Sequence, residues 1–106
     1  MTENEKNIID YRESDTIARE LIESISLYMH RDHQEIEERI WSTYLFAREA
    51  HHGQMRKSGE PYIIHPLLAC KLLLHLNPDL VTIQSCILHD VIEDTHRTRA
   101  HIALAF

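Results

Sequence analysis

Apolar residues recur at helical spacing through the first half of the chain. One set begins after Ser14, and a second begins after Asp32 and stops before Gly53. The apolar positions are Ala18, Leu21, Ile22, Ile25 and Met29 in the first set, and Ile36, Ile40, Trp41, Tyr44, Leu45 and Ala47 in the second. Residues three and four apart share a helix face, so the pattern predicts two amphipathic helices. Ser14 or Asp15 is the expected N-cap of the first, and Asp32 with Glu35 resembles a capping box for the second.

Two further apolar stretches follow, and Asn77 and Pro78 separate them. Residues 67–76 predict a third helix with Pro66 in its first turn, where proline is well tolerated. Asp79 is the expected N-cap of a fourth helix. Both stretches are apolar on nearly every side, which predicts central helices. It also predicts that apolar surface is exposed wherever no further helix covers them, so that the chain self-associates, swaps elements or is only marginally stable.

The composition favours one small all-α domain. The chain has 106 residues, 43% of them hydrophobic, with only two Gly and three Pro. Residues 1–13 form a polar lead-in, and residues 14–106 are the expected domain. No apolar run approaches the length of about 20 residues that spans a bilayer, and the N-terminus lacks the pattern of a signal peptide. We therefore expect a cytoplasmic protein with no membrane partner.

The formal charge of −6 argues against general nucleic-acid binding, which requires a broad basic surface. Cationic residues are nevertheless grouped near the middle, at Arg48, Arg56 and Lys57, where an anionic ligand could bind. Cys70 and Cys86 lie among apolar residues at a spacing typical of no common zinc motif. They are predicted to be buried free thiols.

The strongest chemical signal is the pair His89 and Asp90, with His65 on an earlier element. Imidazole and carboxylate groups are good ligands for Mn²⁺, Fe²⁺ or Zn²⁺. Two neighbouring residues on one helix can both reach a metal that lies across its end. A His-Asp dipeptide also occurs by chance, however, and this chain has nine His. The dipeptide alone therefore does not establish a metal site.

Glu93 and Asp94 follow His89 and Asp90 by four residues each. If the helix continues, both acids lie one turn beyond the ligand pair on the same side. Four ionisable groups at a buried helix end are costly unless a cation neutralises them. The alternative is a solvated acidic helix end, and the residues alone leave both readings open.

The segment 53–62 is the one stretch rich in turn residues, and it carries Arg56, Lys57 and Ser58. Two adjacent cations and a hydroxyl in a glycine-flanked loop can bind a phosphate. Most exposed Arg-Lys pairs are simply solvated, so the pattern is weak by itself. Its position strengthens it, because the loop leads directly into His65.

Two motifs together resemble those of a known family. The string HHGQMRKSGEPYIIHP occupies residues 51–66, and ILHDVIEDT occupies residues 87–95. In this pairing the chain resembles the hydrolase domain of the long RelA/SpoT proteins, and the separation of His65 from His89 matches as well. The resemblance implies an HD-superfamily helical bundle. It also implies hydrolysis of the 3′-diphosphate of (p)ppGpp to GDP or GTP and pyrophosphate, with Mn²⁺ as the metal and a guanine nucleotide as the ligand.

The resemblance assigns roles to individual residues of this chain. The implied metal ligands are His65, His89 and Asp90. The implied acidic pair, which orients or deprotonates the attacking water, is Glu93 and Asp94. The implied nucleotide-binding residues are Arg56, Lys57 and Ser58.

One part of the family's pattern is missing from this sequence. The family's fourth metal ligand is an Asp well beyond the HD pair, whereas the sequence reaches only Phe106. We therefore expect a partial HD hydrolase domain that is incomplete, weakly active or inactive. The alternative is a non-catalytic module derived from the HD domain, which binds nucleotide or a protein partner for regulation.

Overall fold

The computed structural model describes residues 8–91, which contain four α-helices. The helices are α1 (Arg12–Tyr28), α2 (His33–Ala50), α3 (Ile64–Leu73) and α4 (Leu80–Leu88), and a 3₁₀ turn (Leu74–Leu76) extends α3. Within this part of the chain there is no strand, only an isolated bridge between Met55 and Pro61. The predicted all-α fold is confirmed. None of the described helices is long and apolar enough to cross a membrane.

Helix α1 begins at Arg12, at least three residues earlier than expected, and its N-cap residue Tyr11 makes no side-chain cap hydrogen bond. The predicted cap at Ser14 or Asp15 is therefore wrong. Ser14 is buried inside the first turn, where its hydroxyl donates to the carbonyl of Tyr11 (3.0 Å) and contacts the hydroxyl of Tyr44 (2.6 Å). The Ser14 side chain, which was expected to cap α1, thus contacts α2 instead.

Helix α2 starts after Asp32, as predicted, but the capping box does not form. Asp32 makes no side-chain cap hydrogen bond. The carboxylate of Glu35 accepts instead from Arg31, at 2.8 Å, and lies 3.9 Å from Arg39. The helix ends before Gly53, whose φ of +89° is a conformation that glycine adopts without strain.

The break between α3 and α4 follows the sequence closely. Asn77 has a left-handed backbone (φ 48°), and its N–H donates to the carbonyl of Leu74 at 3.0 Å. Asp79 then caps α4, because its side chain accepts from the backbone N–H of Thr82 at 2.8 Å. Both predictions are confirmed. Helix α3 itself begins at Ile64, so Pro66 lies in its first turn as expected.

Packing joins the four helices around one core. Helix α1 packs on α2 and α3, and α4 packs on α2 and α3. The largest fully buried side chains from these helices include Leu21, Ile25, Ile36, Ile40, Tyr44, Leu67, Ile83 and Ile87. Cys70 is buried and Cys86 is half-buried, and both are free thiols, as predicted.

Helices α3 and α4 also carry exposed apolar side chains. Leu72 is 73% exposed and Leu76 is 78% exposed, and Leu68 and Val81 are exposed as well. Among residues 8–91, only one face of α3 enters the core. The prediction of exposed apolar surface on these helices is confirmed.

Candidate metal centre

The three predicted ligands lie where α3 begins and α4 ends. His65 is in the first turn of α3, His89 is the C-cap of α4, and Asp90 follows it. Because α3 and α4 pack against each other, these ends meet, and the ring centroids of His65 and His89 are 6.5 Å apart. One ligand atom from each of the three residues lies within 4.8 Å of the others. A metal with bonds of about 2.1 Å holds its ligand atoms roughly 3 to 4 Å apart, so the cluster is close to the required size.

The hydrogen bonding of His89 is that of a metal-binding imidazole. Its Nδ1 lies 2.6 Å from the carbonyl oxygen of Cys86. A carbonyl can only accept, so Nδ1 carries the proton and donates it. Nε2 is then left to face Asp90, whose Oδ2 is 3.2 Å away. Proteins usually orient a histidine ligand in this way: the ring N–H that does not face the metal donates to a backbone carbonyl.

This arrangement places two electron-rich atoms against each other. With the proton of His89 on Nδ1, both Nε2 and the carboxylate oxygen of Asp90 present lone pairs across 3.2 Å. A divalent cation between them would be bound by both. His65, from the other helix, adds a third donor to the same place. The donor set therefore fits a divalent metal such as Mn²⁺, Fe²⁺ or Zn²⁺.

Burial divides the cluster into a supported side and an open side. The Asp90 side chain is 14% exposed, and the hydroxyl of Tyr62 donates to its Oδ2 at 2.7 Å. His65 and His89 are exposed. A molecule that approaches from solvent therefore meets the imidazoles first, while the carboxylate is held from the protein side.

Residues that the sequence interpretation did not single out form the support. The ring of His51, 2% exposed, lies 5.0 Å from that of Tyr62, and its Nδ1 is 2.8 Å from Oε1 of Gln54. Within the described part of the chain, Nε2 of His51 has no hydrogen-bond partner. No local signal marks Tyr62, because it lies in the loop before α3 and its contact with Asp90 spans 28 positions.

The predicted nucleotide-binding residues lie together in the loop before α3. The N–H of Arg56 donates to the carbonyl of Glu60, and that of Gly59 donates to the carbonyl of Arg56, both at 2.9 Å. Arg56, Lys57 and Ser58 are all exposed in the tight turn that results. A hydrogen bond from Ser58, with a smaller contribution from the charge of Arg56, lowers the pKa of Glu60. The three side chains are thus exposed, and two of them, Arg56 and Ser58, also contact the Glu60 carboxylate.

Glu93 and Asp94, the predicted acidic pair, lie outside the described residues 8–91. Helix α4 ends at Leu88, just before the ligand pair. The role of Glu93 and Asp94 therefore stays a prediction.

Comparison with known proteins agrees with the geometry of the site. A family model described as HD domain matches residues 43–106. A guanosine-3′,5′-bis(diphosphate) 3′-pyrophosphohydrolase of Vibrio cholerae is 46% identical over 69 residues, which are 65% of this chain and 10% of that protein. The bifunctional (p)ppGpp synthase/hydrolase SpoT of Escherichia coli K12 is 50% identical over 60 residues, or 57% of this chain and 8% of that protein.

The match is strong, although it covers a small part of each relative. The chain spans about a tenth of the length of the curated relatives it matches. The matched segment includes both motifs and all three clustered ligands. The resemblance to RelA/SpoT hydrolase domains is thereby confirmed, and the chain belongs to the HD domain family.

Proposed function

We propose that this chain carries the metal-binding part of an HD phosphohydrolase that acts on (p)ppGpp. The reaction removes the 3′-diphosphate and gives GDP or GTP and pyrophosphate. The observation that carries the proposal is the meeting of His65, His89 and Asp90 within 4.8 Å at the junction of α3 and α4. The names of the relatives, which are (p)ppGpp pyrophosphohydrolases, supply the substrate.

We propose Mn²⁺ as the metal, held by His65, His89 and Asp90. Two imidazoles and one carboxylate accept several first-row metals, and the RelA/SpoT resemblance selects manganese among them. A bound divalent ion lowers the pKa of water and polarises a phosphoryl oxygen. The chain's own contribution is to fix the ligands, through the Cys86 carbonyl on His89 and the Tyr62 hydroxyl on Asp90.

The remaining residues of the motifs have separate proposed roles. Arg56, Lys57 and Ser58 bind the nucleotide, because two cations and a hydroxyl in an exposed loop complement phosphate oxygens. Glu93 and Asp94 orient the attacking water or accept its proton. Mn²⁺ is a weaker acid than Zn²⁺, so a carboxylate base adds to the rate.

Mn²⁺ binding and pyrophosphate release from ppGpp by this chain test the proposal. We expect the chain to bind Mn²⁺, and we expect His89→Ala to abolish this binding or to weaken it at least ~10-fold. Loss of a residue that supports a ligand already has an effect of about this size, and loss of the ligand itself should cost no less. His75→Ala is the matched control, because His75 is exposed on the 3₁₀ turn and belongs to no metal cluster among residues 8–91. Equal Mn²⁺ affinity in wild type and His89→Ala would contradict the proposal.

The same assay separates the enzyme from the non-catalytic alternative. If the chain is catalytic, we expect its release of pyrophosphate to require both Mn²⁺ and His89. Binding of ppGpp without any release would support the nucleotide-binding module instead. Rapid release would show that the three ligands and their support suffice, or that a second copy supplies a fourth ligand.

Self-association is a further part of the proposal. Leu68, Leu72 and Leu76 on the α3 side and Val81 on α4 expose apolar surface, whose burial is favourable. Sedimentation velocity over a range of concentrations measures it directly. A chain that stays monomeric at the highest concentrations would contradict this part alone.

A further inference from the structure

Tyr62 is placed between the loop and the metal centre by contacts on several sides. Its backbone N–H donates to the carbonyl of Gln54 at 2.9 Å, which ties it to the start of the loop that follows α2. Its ring lies 5.0 Å from the buried ring of His51 and 5.7 Å from that of His65. These contacts leave the phenol little freedom to turn. The hydroxyl therefore has a defined position, 2.7 Å from Oδ2 of Asp90.

The carboxylate that receives this hydrogen bond needs such support. Asp90 comes after the last residue of α4, so the helix itself does not fix its side chain. Its Oδ2 lies beside Nε2 of His89 at 3.2 Å. Donation from Tyr62 favours this orientation of the carboxylate, because turning away would break the hydrogen bond.

We propose that Tyr62 is a positioning residue of the metal centre, whose hydroxyl holds the Asp90 carboxylate beside the two imidazoles before a metal arrives. This inference rests on the proposed function, since it takes Asp90 as a metal ligand. Preorganisation of this kind improves metal affinity, because the Asp90 side chain loses little further freedom when the metal binds. His51 acts one step further out, as the buried wall against which the phenol packs.

Removal of the hydroxyl alone tests the role. Tyr62→Phe keeps the ring against His51 and His65 and deletes only the donor to Asp90. We expect Mn²⁺ affinity, measured from the EPR signal of free Mn²⁺, to fall by about 10- to 100-fold, which is the usual cost of losing a group that supports a ligand. Tyr28→Phe is the matched control, because its hydroxyl donates to the carbonyl of Pro78 at 2.9 Å, away from the cluster. Tyr28→Phe should leave the affinity unchanged.

A double-mutant cycle distinguishes positioning through Asp90 from a general structural effect. Zn²⁺ binds imidazole sites more tightly than Mn²⁺, which keeps binding measurable after Asp90→Ala. If Tyr62 acts through Asp90, adding Tyr62→Phe to Asp90→Ala changes the Zn²⁺ affinity little. If the second substitution lowers the affinity by the full factor seen in wild type, Tyr62 acts elsewhere and the inference is wrong.

The outcomes also separate this inference from the proposed function. Unchanged metal affinity in Tyr62→Phe, with binding lost in His89→Ala, would overturn the role of Tyr62 and leave the metal centre standing. No dependence on His89 would overturn the metal centre itself. If Tyr62→Phe fails to fold, NMR of the wild-type chain decides. Zn²⁺ should then shift the Tyr62 ring resonances and leave those of Tyr28 in place, and an unmoved Tyr62 would contradict the proposal.

Discussion

The structure contains two tyrosine–aspartate pairs that differ in what completes them. Between α1 and α2, the hydroxyl of the buried Tyr44 donates to Oδ1 of Asp15, and Arg48 donates to the same oxygen at 3.0 Å. At the junction of α3 and α4, the hydroxyl of Tyr62 donates to Oδ2 of Asp90 in the same manner. The ion-pair partner of Asp90 within residues 8–91 is a histidine, which is charged only if protonated. Among the residues that the structure describes, the first pair thus contains a permanent cation and the second does not.

The difference shows that the role of such a pair depends on which other group contacts the aspartate besides the tyrosine. Arg48 is always charged, so the Asp15 carboxylate is neutralised inside the fold and the pair serves to hold α1 on α2. Around Asp90, two imidazoles supply lone pairs instead of a fixed positive charge. A partly buried carboxylate in that setting gains most from an external cation. The same hydrogen bond thus completes a structural link in one place and prepares a binding site in the other.

Removal of each carboxylate gives the largest effect that separates the pairs. Asp90→Ala should lower Mn²⁺ affinity by more than ~100-fold, beyond what supporting residues usually cost, and leave the melting temperature of the metal-free chain nearly unchanged. Asp15→Ala should leave the affinity alone and destabilise the fold by about 1–3 kcal/mol, because Tyr44 and Arg48 lose their common acceptor. Metal titration and urea unfolding of both variants measure this. Equal effects on stability would erase the distinction between the two pairs.

A smaller effect is expected when only the Tyr44 hydroxyl is removed. Burial, and then the hydrogen bond to Asp15, raises the pKa of Tyr44 above its usual value of 10.0. A raised pKa means that this stabilisation is present below pH 10 and is lost as the pH rises towards the folded-state value. Tyr44→Phe should cost about 1 kcal/mol at pH 8, which is typical of one hydrogen bond. In the Tyr44→Phe variant, the free energy of unfolding should also fall less above pH 10 than it does in wild type.

Urea unfolding at pH 8 and at pH 10.5 measures both parts of this prediction. Tyr28→Phe is again the control, because burial raises its pKa as well but its hydroxyl meets a carbonyl instead of a carboxylate. If Tyr44→Phe keeps the full alkaline loss of wild type, the titration of Tyr44 is not its source.

Local sequence predicted the features that local chemistry controls. The break at Asn77 and the cap at Asp79 follow from signals within a few residues. The meeting of His65 with His89 instead follows from the packing of α3 on α4, and the family resemblance implied it. The cap at Ser14 was wrong because a hydroxyl that can serve a helix end can also pair with Tyr44, thirty positions away. No local pattern records such a contact.

The supporting residues of the metal centre were missed for a related reason. His51 and Tyr62 lie inside the motif string, but their function depends on contacts across elements, such as the 28 positions that separate Tyr62 from Asp90. Metal ligands can be recognised in a sequence by their residue types and their spacing. A tyrosine that orients a ligand has no such signature until the fold brings the hydroxyl to the carboxylate.

A third aspartate, Asp79, provides the smallest and most specific test of the comparison. Its carboxylate is exposed and caps α4, the helix that ends at His89, by accepting from the backbone N–H of Thr82. That hydrogen bond lowers its pKa below the ordinary value of 3.8. A lowered pKa means that the stabilisation is present above pH 3.8 and is lost as the pH falls through the folded-state value. Water already solvates this carboxylate, so neither a fixed cation nor a metal is needed.

Asp79→Ala should therefore lower the melting temperature slightly at pH 6, whereas Asp79→Asn should lower it less, because asparagine keeps a cap acceptor without the charge. The advantage of wild type over Asp79→Asn should be smaller at pH 3 than at pH 6, because protonation of the carboxylate removes the charge that distinguishes them. Thermal melts of the three proteins at both pH values measure this, and Mn²⁺ affinity should be the same in all of them. A loss of metal affinity in Asp79→Asn would show that the capped start of α4 controls the ligands at its other end. In that case the Asp90 site would depend on the whole helix as well as on Tyr62.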